Sequence, residues 1–237
     1  MPDHHDQIPS REKVLIIGAG PAGLAAAAAL KALEVPFDLV DRAKHVGGIW
    51  NEERADSPIW PSIEMISSRE FTQYEDMLQP VAFPEFLSPG HMAKYLRAYA
   101  ARHELTAHFR PGIDVRYARP FEDGVWQVEL STGEVLIYRA VVSAHGIAER
   151  PHRPDWAADV PKSVQVIHSK DWTGPDGLEG KRVLVHCRHG VQRTPAVALR
   201  YAVDLGVAPE LAERSIWAAL PAIRGEGRLW EVAAHGA

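Results

Sequence analysis

Cys187 and Arg193 stand with five residues between them, in the stretch KRVLVHCRHGVQRTPAV from Lys181 to Val197. That spacing lets a loop curl until its backbone N–H groups converge on one anion. A helix beginning near Pro195 adds the positive end of its dipole at the same point. Both effects lower a thiol pKa, so Cys187 is a candidate thiolate nucleophile. Arg193 can grip two phosphate oxygens with its fork, and Thr194 can donate to the sulfur. His186 is placed to orient the Cys from behind the loop. Protonation of a leaving group needs an acid from elsewhere in the chain, and Asp155 in RPDW and Asp171 in SKDW are the candidates. The competing readings are a buried structural Cys with a surface Arg, and two acids in surface turns.

A second constellation lies at the other end. Gly18, Gly20 and Gly23 form G-x-G-x-x-G within VLIIGAGPAGL. Gly18 suits the tight turn, Gly20 the approach of a pyrophosphate to the backbone, and Gly23 the close packing of helix on strand. The helix that opens at Pro21 and Ala22 offers free N–H groups to phosphates. Asp41, at the end of the next apolar run, is placed to hold a ribose hydroxyl pair.

Elements of matching type surround both. Val14 to Ile17 is a continuous apolar run, as a strand buried on both faces requires. An Ala-rich helix is predicted from about Ala22 to Leu33, and a second strand over Phe37 to Val40, giving a βαβ unit. Helical spacing of Met92, Tyr95, Leu96 and Tyr99 predicts an amphipathic helix over His91 to His103. Val125 to Leu130 and Glu134 to Tyr138 flank STG as a hairpin, and Ala140 to Ala144 reads as another buried strand. Glu149 to Lys162 is Pro-rich and reads as a surface connection. A strand over Arg182 to His186, helices over Pro195 to Leu205 and Pro209 to Leu220, and a last turn near Trp230 to Ala234 complete the pattern. The expected fold is α/β, a Rossmann-like doubly wound sheet, with a C-terminal strand-loop-helix. The expected divisions are a polar tail over 1–11, a dinucleotide-binding domain over 12–180 and a loop-bearing segment over 181–237.

Several further segments resemble one family. DRAKHVGGIW after the second strand, SSREFTQYEDM from Ser67, FPEFLSPGHMAKYLRAYA, VVSAHGIAERPHRP and VIHSKDWTGPDGLEGKRVLV together resemble the flavin-containing monooxygenases and their Baeyer–Villiger relatives over about residues 12–185. That resemblance implies FAD as cofactor, held by Gly18, Gly20, Pro21, Ala22, Gly23, Asp41, Arg42, Gly48 and Trp50. It implies oxygen activation after reduction by NADPH, on a small-molecule substrate. The chain departs from the family at Ile66, where the family carries an Asn near the flavin. It departs again at His145, where the family has Thr, and at Lys162 and Val164, ahead of the retained His168. His145 and His168 are candidate acids, with backbone bonding near a strand end as the alternative role. The second glycine loop, for NADPH, is replaced by the Cys187 segment, which counts against NADPH use.

That replacing segment, His186 to Thr194 with its helical tail to about residue 232, resembles the signature loop of protein tyrosine and dual-specificity phosphatases. The resemblance implies Cys187 as nucleophile, Arg193 as phosphate ligand, Thr194 as donor to the sulfur, and a phosphorylated substrate. Three functions follow as expectations: an FAD-dependent oxidoreductase of monooxygenase type with an incomplete site, a cysteine phosphatase, or a non-catalytic nucleotide- or anion-binding protein.

Composition excludes other classes. The net charge of -5 without a basic block argues against a nucleic-acid partner. A lone Cys rules out an internal disulfide and fits a reducing compartment. The longest apolar run, Leu24 to Leu30, is too short for a bilayer, and no leader precedes it, so a cytoplasmic location is expected. His4 and His5 read as part of a polar tail rather than a metal site.

Overall fold

Val14–Ile17 (β1) is an inner strand of a parallel sheet in the computed structural model, which describes residues 8–59, 63–147, 151–171, 193–219 and 233–235. The sheet order is β3-β2-β1-β7. Here β2 is Phe37–Asp41, β3 is Phe109–Pro111 and β7 is Ala140–Ser143. Val14 pairs with Phe37 on one side and with Ala140 on the other. A strand flanked on both edges must be apolar on both faces, and VLII is.

The two faces of the sheet separate by alternation along each strand. Val14, Ile16, Phe37 and Leu39 point into one core, together with Leu24, Ala27 and Ala28 of α1 (Pro21–Ala32) and Met92, Tyr95, Leu96 and Tyr99 of α2 (Pro89–Arg102). Leu15 and Val40, at alternate positions on the same strands, point into a second core with Ile113, Val128, Leu130 and Tyr138. That second core belongs to an antiparallel sheet of β4 (Val115–Pro120), β5 (Trp126–Leu130) and β6 (Val135–Tyr138). Among the described residues, therefore, helices cover one face of the parallel sheet and strands the other. Each fully buried Leu contributes about 1.5–3 kcal/mol, so both cores are substantial.

α2 starts where its sequence dictates. Pro89 sits at the first helical position, and the Ser88 side chain accepts from the His91 N–H. α1 also has Pro at its start, but its N-cap is Gly20, which has no side chain to offer. That difference leaves the first turn of α1 without a protein cap.

One polar group crosses the second core. Asp38 of β2 accepts from the Lys13 ammonium at 3.0 Å and from the Tyr138 hydroxyl at 2.9 Å, all three being buried. A buried carboxylate with a cation and a hydroxyl as partners is satisfied on both oxygens.

The chain packs as two compact units, Met1–Thr173 and Gly174–Ala237. In the second unit α3 (Arg193–Asp204) and α4 (Pro209–Ala219) share a core of Ala196, Leu199 and Ala212 with Ala233 and Ala234. The strand expected over Arg182 to His186 lies outside the described residues.

Candidate functional site: the turn between β1 and α1

The glycine segment folds as a tight β1–α1 turn, and backbone atoms explain its composition. Gly18 has φ +104°, and a Cβ there would meet the Ala144 carbonyl oxygen at 2.5 Å. A Cβ on Gly23 would lie 1.8 Å from the Gly18 carbonyl oxygen. No rotamer change relieves either contact, because both obstacles are main chain. Gly20 faces another glycine: a Cβ on Gly48 would come within 2.8 Å of the Gly20 Cα. The Gly47–Gly48 pair thus docks on the first loop, and the Gly47 N–H donates to the Ala19 carbonyl at 2.9 Å. Trp50, which follows, packs half-buried against the helical core.

Asp41 does more local work than its spacing announces. Its Oδ2 accepts from the Ala19 N–H at 2.7 Å and its Oδ1 from the Ala43 N–H at 2.8 Å, with the side chain almost fully buried. Both oxygens therefore serve the loop, and any ribose hydroxyl has to share them. Arg42, exposed beside it, pairs with Asp56 at 2.6 Å, and Arg54 binds the same carboxylate through Nε and Nη2, each at 2.9 Å. The Arg54 hydrogen bond, with the nearby Arg54 and Arg42 charges, pulls the Asp56 carboxyl down from 3.8 to about 2 against the opposing effect of burial.

The mouth of the turn fits an anionic diphosphate. The N-cap of α1 makes no side-chain hydrogen bond, and its first turn holds no acidic residue. Ala22 is exposed there. Uncapped N–H groups at the positive end of a helix, on a backbone stripped of Cβ atoms, are the donor set that phosphate oxygens take.

Residues that spacing did not single out also build the site. Tyr74 donates its hydroxyl to the Pro21 carbonyl at 2.7 Å. Asn51, buried, donates to the His45 carbonyl at 3.2 Å and accepts from the Glu53 N–H at 3.2 Å, fixing the loop around Gly47 and Gly48. Both contacts join segments whose separation carries no periodic signal, although a buried Asn just after a glycine pair is a recognisable loop anchor.

The remaining candidates are placed differently. Cys187 lies outside the described residues, and Arg193 and Thr194 are seen only as the first backbone positions of α3. Asp155 opens a short exposed 3₁₀ turn, Asp155–Ala158, and Asp171 pairs with Arg153 at 3.4 Å. Nothing among the described residues brings Asp155 to a nucleophile. His168 accepts at Nδ1 from the Lys170 N–H at 3.0 Å, a structural bond, and His145 is exposed after β7. Ile66 is 69% exposed. No described helix is long and apolar enough to cross a membrane.

Comparison with known proteins gives a consistent picture. The family model for flavin-binding monooxygenase-like proteins matches residues 11–194. The indole-3-pyruvate monooxygenase YUCCA1 of Oryza sativa subsp. japonica is 28% identical over 81% of this chain and 48% of its own length. Flavin-containing monooxygenase 2 of Homo sapiens is 28% identical over 73% of this chain and 35% of its own. Among solved structures, a mutant cyclohexanone monooxygenase from Rhodococcus sp. Phi1 bound to NADP+ superposes with a TM-score of 0.55 at 27% identity, over 62% of this chain and 28% of that one. The chain thus spans about half or less of the length of these relatives.

Proposed function

Since the chain belongs to the flavin-binding monooxygenase-like family, we propose that it is the FAD-binding part of an oxidoreductase of flavin-containing monooxygenase type, acting on a small-molecule substrate. The observation that carries this reading is the uncapped first turn of α1, set on the glycine-lined turn and open to an anion. The backbone N–H groups at Ala22 and Gly23 would hold the diphosphate of FAD. Asp41 keeps the turn folded and shares an oxygen with the ribose. Arg42 flanks that position, while Gly48 and Trp50 form the adjoining wall. When bound, the flavin supplies electron transfer and oxygen activation.

The rest of the reaction is incomplete in this chain. Ile66 offers only an alkyl chain where the family resemblance puts a hydrogen-bonding amide. The chain lacks the second glycine loop that would receive NADPH. These departures fit a form that binds FAD and turns over slowly or not at all. The test is to purify the chain, reconstitute it with FAD, and record flavin absorbance beside NADPH-dependent oxygen uptake. Bound flavin with little uptake is the expected result. A chain that takes up no FAD refutes the proposal.

A second reading draws on one observation: Arg193 and Thr194, which follow Cys187 by six and seven residues in sequence, lie within α3. Helical N–H groups near them would favour an anion held by Cys187, Arg193 and Thr194. This phosphatase reading predicts hydrolysis of p-nitrophenyl phosphate that Cys187→Ser abolishes. Hydrolysis that survives the change removes Cys187 from the chemistry, and FAD binding without any turnover leaves a nucleotide-binding protein.

A further inference from the structure

We propose that Tyr74 is a positioning residue for the flavin diphosphate, its hydroxyl fixing the first turn of α1 at Pro21. This inference rests on the reading of the β1–α1 turn as a flavin site.

The contact is 53 residues away in sequence from the loop it serves. Tyr74 Oη donates to the Pro21 carbonyl at 2.7 Å. In a regular helix that carbonyl already receives the N–H four residues on, so the hydroxyl is not needed to satisfy it. A phenyl ring would bury the same apolar surface. The hydroxyl therefore adds orientation: it ties the first residue of α1, a proline with no N–H to anchor it, to a rigid neighbour.

The neighbour is rigid because Tyr74 is itself held from several sides. Its ring lies 3.8 Å, centroid to centroid, from Tyr99 and 5.7 Å from Tyr95. Its backbone N–H donates to Tyr95 Oη at 2.7 Å, and Tyr95 Oη donates in turn to the Met77 carbonyl at 2.5 Å. Tyr95 and Tyr99 are one turn apart on the buried face of α2. A continuous path of packed rings and hydrogen bonds thus runs from α2 through Tyr74 to the mouth of the turn. N–H groups that converge on a diphosphate lose affinity when their helix end is free to fray, because binding then has to order it.

The experiment compares the full chain with Tyr74→Phe, measuring Kd for FAD by quenching of flavin fluorescence and for ADP by competition. ADP shares the diphosphate with FAD and lacks the flavin ring. The Kd values for FAD and ADP are each expected to rise about threefold to tenfold, the effect of one hydrogen bond. Adenosine, without phosphates, should compete equally well against both proteins. Wild-type chain that binds no FAD refutes the site itself. Wild-type chain that binds FAD while Tyr74→Phe binds FAD and ADP equally tightly overturns only the role of Tyr74. Equal weakening of adenosine and ADP also overturns it, since that marks general loosening. If Tyr74→Phe fails to fold by circular dichroism, Tyr95→Phe removes the oxygen that holds the Tyr74 N–H. It should give the same ADP-selective pattern more weakly, and unchanged ADP affinity there counts against the proposal.

Discussion

Tyr138 donates its hydroxyl to Asp38 at 2.9 Å across 100 residues of sequence, from the antiparallel sheet to the parallel one. Lys13 completes the group at 3.0 Å. Removing one ion of a buried pair strands the other. Lys13→Met should therefore cost about 3–5 kcal/mol in urea unfolding. Tyr138→Phe removes one hydrogen bond to a charged group and should cost about 1.5–3 kcal/mol. Lys13→Met combined with Asp38→Leu should recover most of the single-variant loss. Loss in the double variant equal to the sum of the singles would show that the ions are not coupled.

The glycines of the turn should fail in a set order. Gly23→Ala puts a methyl 1.8 Å from the Gly18 carbonyl oxygen, so it should lower the melting temperature and abolish FAD binding. Gly20→Ala meets only the Gly48 backbone, no closer than the Cα at 3.4 Å. It should leave the cofactor-free melting temperature nearly unchanged and weaken FAD. Calorimetry of the two variants with and without FAD checks the order, and equal melting temperatures would contradict it.

Acid should release the Arg42–Asp56–Arg54 group. The Asp56 carboxyl is depressed in the folded chain, from 3.8 to about 2, chiefly by its hydrogen bond from Arg54. Its contribution is thus fully present above about pH 4 and is lost as pH falls toward 2. Half-exposed as the side chain is, the effect is small. Urea midpoints of wild-type chain and Asp56→Asn should converge as pH falls through that window. A constant gap down to pH 2 would exclude Asp56 as the titrating group.

Alkali acts on the tyrosines. Burial pushes the Tyr99 phenol up to about 12, and burial likewise raises Tyr74, Tyr95 and Tyr138. An acid whose folded pKa is raised stays protonated in the folded chain while the unfolded chain ionises. Stability from these groups is complete below about pH 10 and is lost as pH rises toward 12 and beyond. Ultraviolet difference spectra should show these phenols ionising together with loss of the circular dichroism signal. Early ionisation in a fully folded chain would refute their burial.

Much of the site was legible in the sequence. β1, α1 and β2 form within about a residue of their predicted bounds, since an apolar run, a glycine turn and an Ala-rich stretch are strong local signals. The hairpin of β5 and β6 and the helix α2 also follow their patterns. β3 and β4 do not. β3 is only Phe109–Pro111, and β4 is largely exposed, so neither shows alternation. Both exist because neighbouring strands offer them hydrogen bonds. The double duty of Asp41 and the reach of Tyr74 to Pro21 were hidden for the same reason: spacing names a residue, and only the packed chain names its partner.

The turn that would hold the cofactor rests on a distant piece of chain. The Ala144 N–H donates to the Ile17 carbonyl at 2.9 Å, and the Ala144 carbonyl lies directly beneath Gly18. On the ribosome, Gly18 to Gly23 emerges early, but its floor arrives only once β7 has cleared the exit tunnel. Nascent chains caught before that point hold an unfinished cradle, so cofactor loading belongs to late biogenesis, and truncations short of β7 should leave translation empty-handed.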